Sequence, residues 1–300
     1  MTPEVARCLR RARLDPLTAS VRALSGGITN RNYRVDAAGR SYVLRLGGKH
    51  AAELGIDRRR EAACARIAAR LGLGAEIVAF LPSQGALLSR YLPGRPLSRA
   101  EARRPRTLLQ VARALRRLHA GPAFPGRFCA FATVERYTEL ARRRGLFLPL
   151  GLDEARRRLA RIKEAAGQRP ARPCHNDLLA GNLILAGPRL SLIDWEYAGM
   201  GDPFFDLGNY AANQELGPDA ASAFLRAYTG RERPQDQARL ELMRLASDLR
   251  EACWGFLQAG VSELAFDFKG YGKKYLERFL RRSSGPRFFR LLAAVEGAGS

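Results

Sequence analysis

The residues from His175 to Asp194 constrain this chain more than any others. They read His175-Asn-Asp-Leu-Leu-Ala-Gly-Asn182, then Leu-Ile-Leu-Ala, a Gly187-Pro188 turn, and Leu190-Ser-Leu-Ile-Asp194. An H-x-D-x-x-x-x-N loop followed by a short hairpin and a second aspartate is the set that phosphoryl transfer requires. Asp177 can accept the proton of an attacking hydroxyl. Asn182 and Asp194 can hold the magnesium ions that bridge a nucleotide's phosphates. The apolar residues on either side of the Gly-Pro turn predict a hairpin that carries Asp194 back beside Asn182. A lone aspartate means nothing, and H-x-D arises by chance. The alternative, a polar turn capped by His175 and Asp177, leaves the rest of the pattern unexplained.

The N-terminal third reads as a small antiparallel sheet. A helix over 3–14, capped by Thr2 with Pro3 at its first position, comes first. Strands are predicted over 21–25, 32–35 and 42–46, the last two joined by an Asp36-Ala-Ala-Gly-Arg40 turn. An Ala- and Arg-rich helix over 58–71 ends at Gly72, and strands over 76–80 and 86–91 follow. Leu92-Pro-Gly-Arg-Pro96 is a break. It divides the chain into an N-terminal lobe, 1–92, and a C-terminal lobe, 93–300. Ser98 and Glu101 form a capping box. Helices are then expected over 106–119, 132–143, 152–166, 203–213, 218–229, 236–260, 262–282 and 286–295, with the small hairpin as the only sheet. The fold class is therefore α+β and bilobal: a small antiparallel-sheet N-lobe, a hinge, and a larger, mostly helical C-lobe. A cleft at the hinge is the expected ligand site.

Nucleotide-binding residues follow from this layout. Gly26 and Gly27, between two strands, let backbone approach a phosphate, and Thr29 and Asn30 add polar donors. An ordinary hairpin turn is the competing reading of that stretch. No Walker A loop exists, and Gly72-Leu-Gly74 follows a helix and lacks the third glycine of a dinucleotide fingerprint. Arg45, in the third strand, can neutralise α- and β-phosphates with a planar fork. Glu61, on the next helix, is the candidate carboxylate that orients it; a surface ion pair is the plainer alternative. Ser89, Tyr91 and Leu92 lie in the linker whose backbone would read adenine.

Composition narrows the rest. The net charge of +22 asks for a nucleic-acid hypothesis. The excess is spread along the chain, however, and apart from Lys49, Lys163, Lys269, Lys273 and Lys274 it is all arginine. It reads as an arginine preference on solvated helix faces, with nucleic-acid binding only a nonspecific side effect. Such a field also speeds encounter with ATP and other anions. Apolar runs are far shorter than the ~20 residues of a membrane helix. The Arg-rich start reads as a surface helix rather than a transit peptide. The five cysteines, Cys8, Cys64, Cys129, Cys174 and Cys253, make no C-x-x-C pair, which predicts reduced thiols and a cytoplasmic protein. Cys174 reads as a small buried filler.

With these residues in place, the chain resembles the aminoglycoside phosphotransferase and choline kinase superfamily, with a protein-kinase-like fold, and within it the choline/ethanolamine kinase branch. The resemblance spans most of 20–282. It rests on Gly26-Gly-Ile-Thr-Asn30, Val43-Leu-Arg-Leu46, Arg90-Tyr-Leu-Pro-Gly-Arg-Pro-Leu97, His175 to Asn182, Ile193-Asp-Trp-Glu-Tyr197 with Phe205-Asp-Leu-Gly-Asn209, and a C-terminal run. That run is Trp254-Gly255, Leu257-Gln-Ala259 and Phe266-Asp-Phe-Lys-Gly-Tyr271. The resemblance implies ATP and Mg²⁺ as cofactors and a small-molecule hydroxyl acceptor, choline or a related amino alcohol. It implies an aromatic cage from Trp254, Phe268 and Tyr271 with Glu196 as the charge. It gives His175 and Asp206 supporting roles about the catalytic loop, and His119 a structural one. Packing within a helical core is the competing role for the aromatics.

Three departures bear on the acceptor. Leu257 stands where the branch places a second tryptophan, Leu179 where it often carries glutamine, and Phe268 where it has a tyrosine. These imply a greasier pocket with a weaker grip on a cation. Thiamine, aminoglycosides and sugars are the other acceptors of the superfamily. An aminoglycoside pocket calls for more acid than Glu241, Asp248, Glu251, Glu263 and Asp267 supply. Outside enzymology, the rivals are a basic nucleic-acid-binding protein and a nucleotide-binding pseudokinase. The sequence leaves the oligomeric state open.

Overall fold

The computed structural model describes residues 1–24, 30–48 and 51–297. Gly26, Gly27 and Thr29, expected in the phosphate loop, lie outside the described residues. The elements run α1 (Pro3–Arg11), β1 (Ser20–Leu24), β2 (Asn30–Ala37), β3 (Arg40–Gly47), α2 (Arg58–Arg70), β4 (Ile77–Leu81), β5 (Ala86–Arg90) and β6 (Arg95–Pro96). Then come α3 (Arg99–Ala102), α4 (Pro105–His119), α5 (Ala130–Arg143), α6 (Leu152–Ala166), β7 (Arg172–Cys174), β8 (Leu183–Ala186), β9 (Arg189–Leu192) and β10 (Gly199–Gly201). The chain ends with α7 (Pro203–Asn213), α8 (Pro218–Thr229), α9 (Pro234–Val261), α10 (Phe268–Arg282) and α11 (Pro286–Glu296).

Two compact units result. The first joins Met1–Leu97 to Gly181–Ala198, and the second joins Ser98–Ala180 to Gly199–Ser300. The expected division after residue 92 thus differs in two ways: the first unit runs to Leu97, and it takes in the hairpin expected in the C-lobe. The cause is direct bonding. β6 pairs with β8, and the Leu192 N–H donates to the Leu73 carbonyl at 2.6 Å. Gly74 permits that approach, since a Cβ there would meet the Leu192 carbonyl and the Trp195 Nε1, each at 3.3 Å. Gly72, at φ +68°, ends α2. The Gly72-Leu-Gly74 stretch is thus a helix stop and a packing contact.

In the first unit, five antiparallel strands stand in the order β1-β2-β3-β5-β4. β3 alternates: Tyr42, Leu44 and Leu46 are buried on the face that carries Val5, Cys8 and Leu9 of α1. The i, i+3, i+4 spacing of those three residues is what lets one helix cover that face. Alternation sends Arg45 to the opposite face of β3.

In the second unit the central element is α9. It is buried around most of its circumference, from Leu240 to Leu257, and packs against α5, α6, α7, α8, α10 and α11. Close helix contacts depend on glycine. A Cβ at Gly208 of α7 would lie 2.6 Å from the Met243 backbone carbon, and one at Gly255 of α9 would lie 2.9 Å from Gly272 of α10.

Three expectations are corrected here. The helix expected over 262–282 starts only at Phe268, capped by Asp267; Ser262 to Asp267 is a loop. The hairpin is not the only sheet beyond the break, because β7 and β10 form a two-stranded ladder, too short to leave a periodic signal. Nor does the arginine excess all lie on solvated faces. Arg239, Arg244 and Arg250 of α9 and Arg278 of α10 are buried, and they bond Asp202, Glu241, Glu251 and Asp248 respectively. Among the described residues no helix is long and apolar enough to cross a membrane.

Replacing Gly208 by alanine presses a Cβ onto backbone that cannot rotate away. We expect a loss of about 1–3 kcal/mol, read as a lower urea midpoint with an unchanged denaturant slope.

Candidate active site

The hairpin in the first unit closes as its sequence predicts. Leu183 pairs with Leu192, and the Ile193 N–H donates to the Asn182 carbonyl at 3.0 Å. Asn182 and Asp194 therefore flank one closed turn of antiparallel backbone. Asp194 has φ +67°, a left-handed conformation that costs a non-glycine residue energy and gathers at working sites.

Two arginines organise the charges around Asp194. Arg45 bonds Glu61 of α2 through Nη2 and donates from Nη1 to Asp194 Oδ1 at 3.0 Å. Burial disfavours the Arg45 charge, but Glu61, Asp194 and Glu196 outweigh it and raise its pKa. Arg58, which sequence reasoning missed, is the second. Its Nη1 lies 2.9 Å from Glu61 Oε2 and 3.1 Å from Glu196 Oε2, and its Nη2 donates to Asn30 Oδ1 at 2.8 Å. Gly47 makes room for it, since a Cβ there would sit 3.0 Å from Arg58 Nε. The only advance signal was its place one turn before Glu61 on α2. Asn30 also donates from Nδ2 to Glu196 Oε2 at 3.1 Å. Glu196, expected as the charge of the acceptor cage, is thus engaged by Arg58 and Asn30. Ser89 ends up on β5 facing Val43 in register, and the Tyr91 N–H donates to the Ser41 carbonyl at 3.0 Å with its ring under the Arg34 guanidinium. Leu92 follows β5, half-buried.

In the second unit the start of the loop hangs from one carboxylate. Asp206 of α7, fully buried, accepts the His175 N–H on Oδ2 at 2.8 Å and the Asn176 N–H on Oδ1 at 2.6 Å. His119 Nε2 lies 3.0 Å from Asp206 Oδ2, and its Nδ1 lies 2.7 Å from the Tyr228 hydroxyl. The Asp177 N–H donates to His175 Nδ1 at 3.3 Å, which assigns the ring's proton to Nε2. The Leu178 N–H donates to Asn209 Oδ1 at 2.6 Å, and Gln214 Nε2 donates to the Leu178 carbonyl at 3.0 Å. Asn176, at φ +66°, makes the bend. His119, Cys174 and Asp206 come close enough to suggest metal ligands. The histidine and carboxylate atoms are already bonded, and burial, with Asp206 and Asp202 nearby, pushes the Cys174 thiol up. That donor set braces the loop.

The aromatic residues also meet. Trp254 packs edge-on against Phe268 and Tyr271, each at 5.6 Å between ring centres, and Phe266 lies 4.8 Å from Phe268 and 6.0 Å from Tyr271. The Gly255–Gly272 crossing of α9 and α10 is what brings these rings together. The carboxylate bonded to this group is Glu251, whose Oε2 accepts from the Tyr271 hydroxyl at 2.7 Å. Its neighbour Arg250 bonds Glu251 Oε1 and donates to Asp177 Oδ1 at 3.2 Å. Sequence reasoning gave Arg250 and Glu251 no role. Their places four and three residues before Trp254, on one helix face, were the available signal.

Native-protein alkylation at pH 8 tests the buried thiols. Cys64 and Cys253 have thiol pKa values pushed up to about 12 by burial, and Cys174 is also raised. A raised pKa starves the reactive thiolate below it. Mass spectrometry should find exposed Cys129 labelled and these three spared until the protein is unfolded.

Comparison with known proteins agrees with this geometry. Residues 20–242 match the phosphotransferase enzyme family. The chain is 29% identical over 260 residues to protein LicA of Haemophilus influenzae, covering 84% of this chain and 76% of that protein. It is 27% identical over 296 residues to a probable ethanolamine kinase of Arabidopsis thaliana, covering 86% and 78%. Among solved structures, a choline/ethanolamine kinase family protein from Mesorhizobium loti superposes with a TM-score of 0.83 at 30% identity, covering 98% of this chain and 99% of that one. A loop hung from Asp206, a closed hairpin ending at Asp194 and a match over most of the sequence have one reading: the chain belongs to the phosphotransferase enzyme family, in its choline/ethanolamine kinase branch, and is a small-molecule kinase.

Proposed function

We propose that this kinase moves the γ-phosphoryl group of ATP to the hydroxyl of an amino alcohol, ethanolamine or choline. The observation that carries the reading is the bonded series Asp177–Arg250–Glu251–Tyr271, which joins the loop aspartate to an aromatic group. Aromatic faces with a carboxylate suit an ammonium ion. The names of the relatives point the same way.

In this reading Asp177 orients the acceptor hydroxyl and takes its proton as the oxygen attacks phosphorus. The transfer is direct, with inversion and no phosphoenzyme. Asn182 and Asp194 offer hard oxygen donors of the kind Mg²⁺ prefers, and these two residues would hold it. Bound there, Mg²⁺ supplies charge neutralisation at the phosphate oxygens. Arg45, held by Glu61, faces the α- and β-phosphates. Trp254, Tyr271 and Phe268 wall the acceptor, with Glu251 taking the place first given to Glu196.

ADP release by purified protein with Mg-ATP, measured against ethanolamine, choline, thiamine, kanamycin, several sugars and no acceptor, tests the reading. Turnover should depend on an amino alcohol, and Asp177→Asn should lower kcat by about 10²–10⁴-fold. Turnover confined to thiamine, kanamycin or a sugar would sink the amino-alcohol assignment. Trp254→Ala should raise the amino-alcohol KM about tenfold while leaving the ATP KM unchanged, since the lost cation–π contact is worth ~1–2 kcal/mol.

A further inference from the structure

We propose that Arg250 is a positioning residue for the phosphoryl transfer: its guanidinium ties the Asp177 carboxylate to the acceptor wall through Glu251 and Tyr271. This rests on the reading of Asp177 as the base.

Arg250 projects from the middle of α9 with its side chain 2% exposed. One nitrogen, Nη1, serves two carboxylates, Asp177 Oδ1 at 3.2 Å and Glu251 Oε1. Glu251 is itself fixed by the Tyr271 hydroxyl on its other oxygen. Burial, and then Glu251, push the Tyr271 phenol's pKa up, so it stays protonated and remains a donor. The base is therefore tied, through two ion pairs and one hydrogen bond, to the ring that packs on Trp254. Any acceptor held by those rings meets a carboxylate whose direction is set by the same side chains.

The charges require this arrangement. Asp177 and Glu251 are both buried, and a buried carboxylate without a counter-charge is costly. One cation between them satisfies both and leaves the set with a net negative charge, which suits an ammonium-bearing acceptor. The guanidinium is planar and rigid, so the one nitrogen that meets both carboxylates is held in a fixed direction, whereas an ammonium is a point charge on a flexible stem that imposes none. The expected mark of the tie is a loss in the chemical step rather than in nucleotide binding, because misplacing a reacting group by about 1 Å costs on the order of 10²-fold in rate.

Steady-state kinetics with ethanolamine and choline at saturating Mg-ATP should compare wild type, Arg250→Lys, Arg250→Ala, Glu251→Gln and Tyr271→Phe. Arg250→Lys should lower kcat about 100-fold with the ATP KM unchanged. Guanidinium ion below denaturing concentration should restore part of the kcat of Arg250→Ala and none in Arg250→Lys. Glu251→Gln and Tyr271→Phe should lower kcat in the same sense. A kcat for Arg250→Lys within about twofold of wild type would overturn the proposal. A second measurement does not depend on turnover. In a urea-unfolding cycle, Arg250→Lys should lower the midpoint less in an Asp177→Asn background than in wild type. Equal shifts in the two backgrounds would also overturn it. Wild type inactive toward both amino alcohols would reject the acceptor assignment alone, and the unfolding cycle would then decide the role of Arg250.

Discussion

One buried carboxylate supports the loop that begins at His175. Asp206 takes two consecutive backbone N–H groups, those of His175 and Asn176, and so sets the direction in which the chain enters the bend at Asn176. Backbone N–H groups buried without a partner are costly, so the loop has few other paths to follow. His119 and Tyr228 brace the carboxylate from behind, and Asn209 and Gln214 of the same stretch hold Leu178, just past Asp177. A segment with little regular structure of its own thereby acquires a defined geometry from α7. The position of Asp177 is a consequence of that geometry.

Arginine is the second organising device. A net charge of +22 suggests a coat of solvated cations. In the first unit, Arg45 and Arg58 instead knit Glu61, Asp194, Glu196 and Asn30 into one network. In the second, Arg250 joins Asp177 to Glu251, and Arg278 pairs with Asp248 in the interior. A guanidinium presents five donors in a rigid fork, against the three of a lysine on a flexible stem, so it can satisfy several buried acceptors at once in a fixed geometry. A small part of the arginine excess therefore shapes the interior, while most of it remains on the surface.

What was legible beforehand depended on local signals. The strands of the N-terminal sheet were visible because β3 alternates buried and half-buried side chains with period two. Most helices were visible because caps and prolines mark their starts, as at Pro203 and Pro218. The break between α9 and α10 was placed but made too short, because the residues from Ser262 to Asp267 contain neither proline nor glycine. The contacts of Glu196 with Arg58 and Asn30 were not legible, because proximity in a motif says nothing about which cation a carboxylate meets.

The sequence by itself determined the hairpin that brings Asn182 and Asp194 to its two ends, the Arg45–Glu61 partnership and the family to which they belong. These follow from short-range spacing: a turn length, a strand period and a helix register. Only the tertiary structure decided which charges touch. Arg250 and Asp177 lie 73 positions apart, and Arg58 and Glu196 lie 138 apart. No local preference encodes such a contact. It needs the packed chain: glycine at 47 leaves room for the Arg58 side chain, and glycine at 208 lets α7, which holds the loop, lie close against α9, which carries Arg250.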